Sequence, residues 1–443
     1  MNALKVAASD AVRECFHTTR ELVHVDQTDY TDVAVAVLSR DDLTAGALDS
    51  IKRTGFDIPI FLVVSQGRGN RSLEVYKQLQ DVILQVNGVF DLSSNNAEYY
   101  GNQLETAAQA YEETLLPPFF DSLKRYTTSA NATFACPGHQ GGQFFRKHPA
   151  GRQFFDFFGE TLFRADMCNA DVKLGDLLIH EGPALQAQKH AAKVFNADKT
   201  YFVLNGTSAS NKVVTNALLT PGDLVLFDRN NHKSNHQGAL LQAGATPVYL
   251  ETARNPYGFI GGIDAHCFEE DYLRDLINEV APDKAKLPRP FRLAIIQLGT
   301  YDGTIYNARQ VVDRIGKLCD YILFDSAWVG YEQFIPMMKD CSPMLLDLGE
   351  NDPGIFVTQS VHKQQAGFSQ ASQIHKKDRH IKGQPRYCNH HRLNNAFMAQ
   401  ASTSPFYPLF ASLDVNARIH AGRSGLRLWE DCVKFGINAR KLI

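Results

Sequence analysis

Residues 356 to 370 read FVTQSVHKQQAGFSQ, with Lys363 just past an apolar run, behind His362 and among small polar residues. A lone lysine at a strand end normally sits in solvent, because burying an unpaired ammonium is costly. In a cleft, the same amine becomes a nucleophile toward carbonyls and forms Schiff bases. Three other apolar runs also end on residues with usable chemistry. TYFVL leads into NGTSASNK, so Gly206, Thr207 and Ser208 mark a strand end running into a helix start. Free N–H groups, hydroxyls and the helix dipole there make a cradle for a phosphate. LVLFD is followed by RNNHKSNH, which sets His232 where an imidazole can lie against a flat aromatic ligand. YILFD ends on Asp325, whose carboxylate can keep a heteroaromatic nitrogen protonated, and small Ala327 leaves room for a ring. Taken singly, these residues have ordinary explanations as helix caps or surface polar groups. Those explanations predict no order, whereas a Schiff-base lysine working with pyridoxal phosphate predicts a phosphate cradle, ring-facing histidine, carboxylate and lysine, each after its own strand in one sheet, and the chain supplies them.

The elements that must hold these residues are legible in the hydrophobic pattern. From Leu4 to about Leu92, runs such as VAVAVLS, IPIFLVV and GVFDL alternate with amphipathic stretches such as DDLTAGALDSIKRTG and SLEVYKQLQDVI. Continuous β-branched runs separated by helical periods predict a parallel sheet with helices on it, a small flavodoxin-like domain. No glycine-rich phosphate loop follows its first strand, and GRGN at Gly67 to Asn70 reads as a surface turn. A helix from Asn95 to Leu116 is predicted to stop at Pro117-Pro118, a domain boundary. Beyond it a loop-rich stretch carries ACPGHQGGQFF, where Gly138, Gly141 and Gly142 allow sharp turns beside His139, a residue as readily structural as functional. A second α/β alternation then runs from a helix at Pro183 to strand IFVTQS, predicting a doubly wound, mostly parallel sheet with its ligand beyond the strands' carboxyl ends.

Composition narrows the function. The 443 residues, 44% hydrophobic and 21% charged with a formal net charge of -3, suit a soluble multidomain protein and lack a basic tract with interleaved aromatics for nucleic acid. Eight cysteines are scattered without the spacing of a zinc site, which fits a reducing compartment. No stretch approaches the roughly 18 uninterrupted apolar residues of a membrane span, and no signal peptide opens the chain, so a cytoplasmic location is expected.

The segment Thr358 to Ser372, T-x-S-x-H-K-x-x-A-G-x-S-Q-A-S, resembles the pyridoxal-phosphate signature of the bacterial ornithine/lysine/arginine decarboxylase family. CPGHQGGQFF, RADMCNADVKLGDLLIHEG, NGTSASNK, FDRNNHKSNH and DSAWVGYEQF are similar to further blocks of that family, and the likeness spans the whole chain. The resemblance implies a flavodoxin-like wing domain (1–107), a linker region (108–150), a fold type I, aspartate aminotransferase-like large domain (151–405) and the start of a C-terminal small domain (406–443). By motif position, Lys363 would form the Schiff base, Asp325 would pair with the pyridine nitrogen, and His232 would stack on the ring. Thr207 and Ser208, with Ser360 and His362, would hold the phosphate. Ser402 in ASTSPFY would reach the partner subunit's cofactor, making a homodimer, assembled further, the functional unit. The implied reaction is decarboxylation of ornithine to putrescine and carbon dioxide, with His362 or Lys363 returning the proton to Cα. Lysine or arginine as substrate, another fold type I aminotransferase or lyase, and an assembly-only fragment are the alternatives. SGLRLWEDCVKFGINARKLI carries no helix stop signal before Ile443, so the chain is expected to be a fragment with impaired activity.

Overall fold

The computed structural model describes residues 3–64, 79–91, 96–129, 134–167, 171 and 173–443. The turn expected at Gly67 to Asn70 and the start of the helix expected from Ser72 lie outside them. The chain forms two compact units, Met1–Leu116 with Ala421–Ile443, and Pro117–His420.

In the first unit, β1 (Lys5–Ala8), β2 (Leu22–Val23), β3 (Val33–Leu38), β4 (Ile60–Val64) and β5 (Gly88–Asp91) form one sheet in the order β2-β1-β3-β4-β5. Every neighbouring pair is parallel. This is the flavodoxin-like order. All six residues of β3 are buried, as a continuous apolar run covered on both faces requires. The amphipathic stretch after β3 breaks at Gly46, whose φ of 84° ends the helix Arg40–Thr44 before Ala47–Arg53 begins. The helix Gly422–Leu442 groups with this unit: a Cβ on Gly55 would lie 2.8 Å from the Ser424 backbone nitrogen. The stretch 406–443 therefore divides, because Tyr407–His420 belongs to the second unit.

In the second unit the strands are β6 (Lys199–Val203), β7 (Leu224–Asp228), β8 (Thr246–Leu250), the hairpin β9 (Thr252–Arg254) and β10 (Ile260–Ile263), then β11 (Phe291–Gln297), β12 (Cys319–Ser326), β13 (Gly354–Ser360) and β14 (Ser372–Lys377). Seven of them build a sheet in the order β6-β14-β13-β12-β11-β7-β8. β14 runs antiparallel to both of its neighbours and the remaining pairs are parallel. The fold is that of a fold type I large domain.

β14 escapes a hydrophobic-pattern reading because it reads SQIHKK, yet five of its six residues are buried. Two of its charged or titratable side chains are paired internally: Lys376 Nζ is 2.5 Å from Asp378 Oδ2, and His375 Nδ1 is 2.8 Å from the Thr200 hydroxyl. The region after Pro117 also holds more helix than its glycines suggest. Pro118 opens the helix Pro118–Thr128, where its missing N–H leaves no intrahelical bond unmade, and Asp414 Oδ2 accepts from the N–H groups of Phe119 and Phe120 at 2.8 and 3.0 Å. Within this region both ring nitrogens of His139 are engaged: Gly142 N–H donates to its Nδ1 at 3.2 Å, so the proton sits on Nε2, 3.0 Å from Asp166 Oδ2.

Candidate active site

The carboxyl ends of β7, β11, β12 and β13 open into a cavity of about 630 Å³. Gly206, Thr207, Ser208, His232, Asp325, Ala327, Ser360, His362 and Lys363 all line it. Nine of the ten residues expected from the sequence are thus brought together. Ser402 is not: it is exposed, accepts a bond from Ser404 N–H at 3.1 Å, and lines a different, smaller pocket. Its expected reach is to a partner subunit.

Asp325 lies at the floor, fully buried. Its Oδ2 accepts from Asn211 Nδ2 at 2.8 Å and Asn235 Nδ2 at 3.0 Å, and its Oδ1 from Ala327 N–H at 3.2 Å. Burial raises its pKa, and these neutral donors only partly offset that. No ion pair reaches it among the described residues. A buried carboxylate held by neutral amides and lacking a cation fits a pyridinium N–H. Asn211 and Asn235 were not anticipated. Asn211 is one turn beyond Thr207 on the helix Gly206–Leu218 and accepts from the Thr358 hydroxyl at 2.7 Å, while Asn235 also donates to Asn231 Oδ1 at 3.0 Å. The i, i+4 spacings Thr207/Asn211 and Asn231/Asn235 were the available signal.

The helix Gly206–Leu218 begins without a side-chain cap. Gly206, at φ 73°, spends its N–H on Gln370 O at 2.9 Å, and the hydroxyls of Thr207 and Ser360 meet at 2.7 Å. An uncapped helix start flanked by hydroxyls suits a phosphate. His232 caps the short helix after it by accepting from Ser234 N–H at 3.3 Å through Nδ1, which places its proton on Nε2. Burial keeps its pKa low, with Asp325 opposing and Lys363 adding to the shift. In His362 it is Nδ1 that donates, to Ala371 O at 3.0 Å. Lys363 stays open to solvent, yet partial burial lowers its pKa against the pull of Asp325.

In the segment after β12, Glu332 is buried, accepts from Gly330 N–H at 2.9 Å, and is pushed by burial up to about 7. A raised folded-state pKa means the fold binds this proton more tightly than the unfolded chain, so stability is lost as pH rises from about 4.5 through about 7. Glu332→Gln is therefore expected to stabilise the chain at pH 8 by about 2–3 kcal/mol, a gain that vanishes below about pH 4.5. Urea unfolding at the two pH values measures it; an equal effect at both would assign the change to packing instead.

Sheet order, cavity position and donor set define a fold type I pyridoxal-phosphate domain preceded by a flavodoxin-like domain. The Orn/Lys/Arg decarboxylase major domain matches residues 117–443, and the family's N-terminal domain matches 4–111. The chain belongs to the Orn/Lys/Arg decarboxylase family, which is pyridoxal-phosphate dependent. It is 69% identical over 443 residues to the inducible ornithine decarboxylase of Escherichia coli (strain K12), covering all of this chain and 59% of that protein. It is 68% identical over the same length to the ornithine decarboxylase of Haemophilus influenzae, covering 60% of it, and 37% identical over 367 residues to the inducible lysine decarboxylase of Escherichia coli, covering 82% of this chain and 48% of that protein. The crystal structure of the Francisella novicida lysine decarboxylase superposes with a TM-score of 0.85 at 29% identity, over 100% of this chain and 62% of that one. The chain thus spans about 60% of the length of the curated ornithine decarboxylases it matches.

Proposed function

We propose that this chain carries the catalytic large domain of an ornithine decarboxylase, converting L-ornithine to putrescine and carbon dioxide. The observation that carries the proposal is the buried, cation-free Asp325 in one cavity with Lys363, His232 and an uncapped helix start. Preference for ornithine rests on identity, 69% to an ornithine decarboxylase against 37% to the arginine and lysine enzymes.

Thr207, Ser208, Ser360, His362 and the free N–H groups near Gly206 would hold the cofactor phosphate, Asp325 its ring nitrogen, and His232 and Ala327 its two faces. The bound cofactor supplies an aldehyde for the substrate's α-amine and a protonated ring that accepts the electrons left when carbon dioxide departs. Asp325 keeps the proton on the ring nitrogen. Asn211 and Asn235 fix its carboxylate so that no reorganisation is needed during reaction. His362 commits its Nδ1–H to Ala371 O, and we assign the return of the proton to Cα to Lys363 Nζ, the amine lining the cavity. Ser402 would serve a partner subunit's site, in a homodimer that assembles further. A cytoplasmic setting agrees with the seven described cysteines, all free, and no helix among the described residues is long and apolar enough to cross a membrane.

Amine product analysis tests this with the 443-residue chain and a version completed by the C-terminal part of the Escherichia coli relative, each given pyridoxal phosphate and ornithine, lysine or arginine. Putrescine from ornithine is the expected product. Cadaverine or agmatine as the main product would move the substrate, and keto-acid formation would overturn decarboxylation altogether.

A further inference from the structure

Lys363 has an unusual neighbour. Its Nζ makes no hydrogen bond or ion pair among the described residues, and instead stands 3.8 Å from the centroid of the Trp328 ring. Trp328 itself is fixed from two sides. Tyr301 meets it edge to face, with centroids 5.1 Å apart and planes at 82°. Two residues further on, Gly330 O accepts from Gln365 Nε2 at 2.8 Å, tying the loop that carries the indole to the loop that follows the lysine's helical turn, Val361–Gln364. Asn416 clips that second loop twice, accepting from Ala366 N–H at 3.0 Å and donating to Gln365 Oε1 at 2.9 Å. The backbone at Gly330, with φ at 120°, favours glycine, and a Cβ there would lie 2.9 Å from Gln365 Nε2 and from Gln359 Cδ, so both side chains would have to shift.

We propose that Trp328 is a positioning residue, the seat on which the Lys363 ammonium rests whenever its nitrogen is not bonded to a carbonyl. The inference rests on the assignment of Lys363 as the carbonyl-binding amine. An ammonium over an indole face is attracted by the ring quadrupole, and the attraction grows as water is excluded. The flexible four-carbon stem of a displaced lysine would otherwise explore solvent, and returning it costs rotamer entropy. Seated on Trp328, Nζ stays protonated inside the cavity, in reach of Asp325's field and beside His232 and His362. Substrate can therefore displace the lysine without losing it as proton carrier. The indole also biases the amine toward its charged form, against the burial that lowers its pKa.

The chain contains two tryptophans, Trp328 and Trp429, so Trp429→Phe leaves Trp328 as the sole indole emitter. In that cofactor-free background, emission followed through alkaline pH is expected to show a transition that disappears in Lys363→Met. Tyr301 is retained in both chains, so its own ionisation appears in both and cancels. A second measurement traps Lys363 with pyridoxal phosphate and borohydride across pH. Trp328→Leu is expected to lower the trapping midpoint by about half to one and a half pH units, and Trp328→Phe by less. An emission transition unchanged in Lys363→Met, or identical trapping midpoints in all three chains, overturns the proposal. The absence of any trapping at Lys363 in the wild-type chain would instead sink the cofactor assignment, while the emission result, which needs no cofactor, still decides the seat.

Discussion

Lys363→Ala is expected to abolish both the visible absorption that develops with pyridoxal phosphate and all carbon dioxide release from ornithine. Among the described residues Lys363 is the only lysine lining the cavity, and no other side chain there offers a primary amine. The loss is expected to be complete, because the same nitrogen serves as the carbonyl-binding group and as the proton carrier. Groups that act as one unit do not lose activity piecemeal. The fold should be indifferent: Lys363 is exposed, and its Nζ touches the Trp328 ring without an ion pair. His232 supplies an internal check, since Lys363 depresses its pKa, so the histidine should titrate higher in the alanine variant. Absorbance titration and carbon dioxide measurement on folded protein test the claim. Turnover near the wild-type rate would end the assignment of Lys363.

Much of this site was legible because each strand declares its end. TYFVL, LVLFD, YILFD and IFVTQS are apolar runs that stop at a residue with chemistry, and the structure sets their carboxyl ends around one cavity. The supporting layer was not legible in the same way. Asn211 and Asn235 lie inside helices, where an asparagine normally signals nothing more than a weak helix former. Their meaning appears only when β12 is placed beside the two helices that carry them. β14 was invisible for the opposite reason: its polar residues contradict the pattern of a buried strand, and only the partners supplied by Asp378, Thr200 and Gln359 make that burial tolerable. Trp328 was in plain sight within DSAWVGYEQF, but pattern cannot tell a packing tryptophan from one that faces an amine. Ser402 marks a different limit, since a residue whose expected role is in a partner's site leaves no trace within its own chain.

Asp325→Asn is expected to leave the cofactor-free chain at least as stable as wild type while reducing the rate of ornithine decarboxylation by on the order of 10²–10³-fold or more. The two halves come from one fact. Asp325 is fully buried with a raised pKa, so its carboxylate is a burden to the empty fold; stability falls as pH rises above its unfolded value. A neutral amide removes that burden. Its oxygen can still accept from Asn211 and Asn235, although its NH2 must then face the Ala327 N–H, two donors where one bond was made. When cofactor is present the balance reverses. The carboxylate gains the cation it lacks, and the proton on the ring nitrogen is held where the electron demand arises. An amide cannot hold that proton, so cofactor affinity should fall and turnover should fall further. Thermal unfolding with and without pyridoxal phosphate, beside steady-state putrescine formation, separates these effects. Unchanged turnover would reduce Asp325 to a structural cap. Loss of stability in the cofactor-free chain would mean that the carboxylate is needed by the fold itself, and that the missing cation is not the pyridinium.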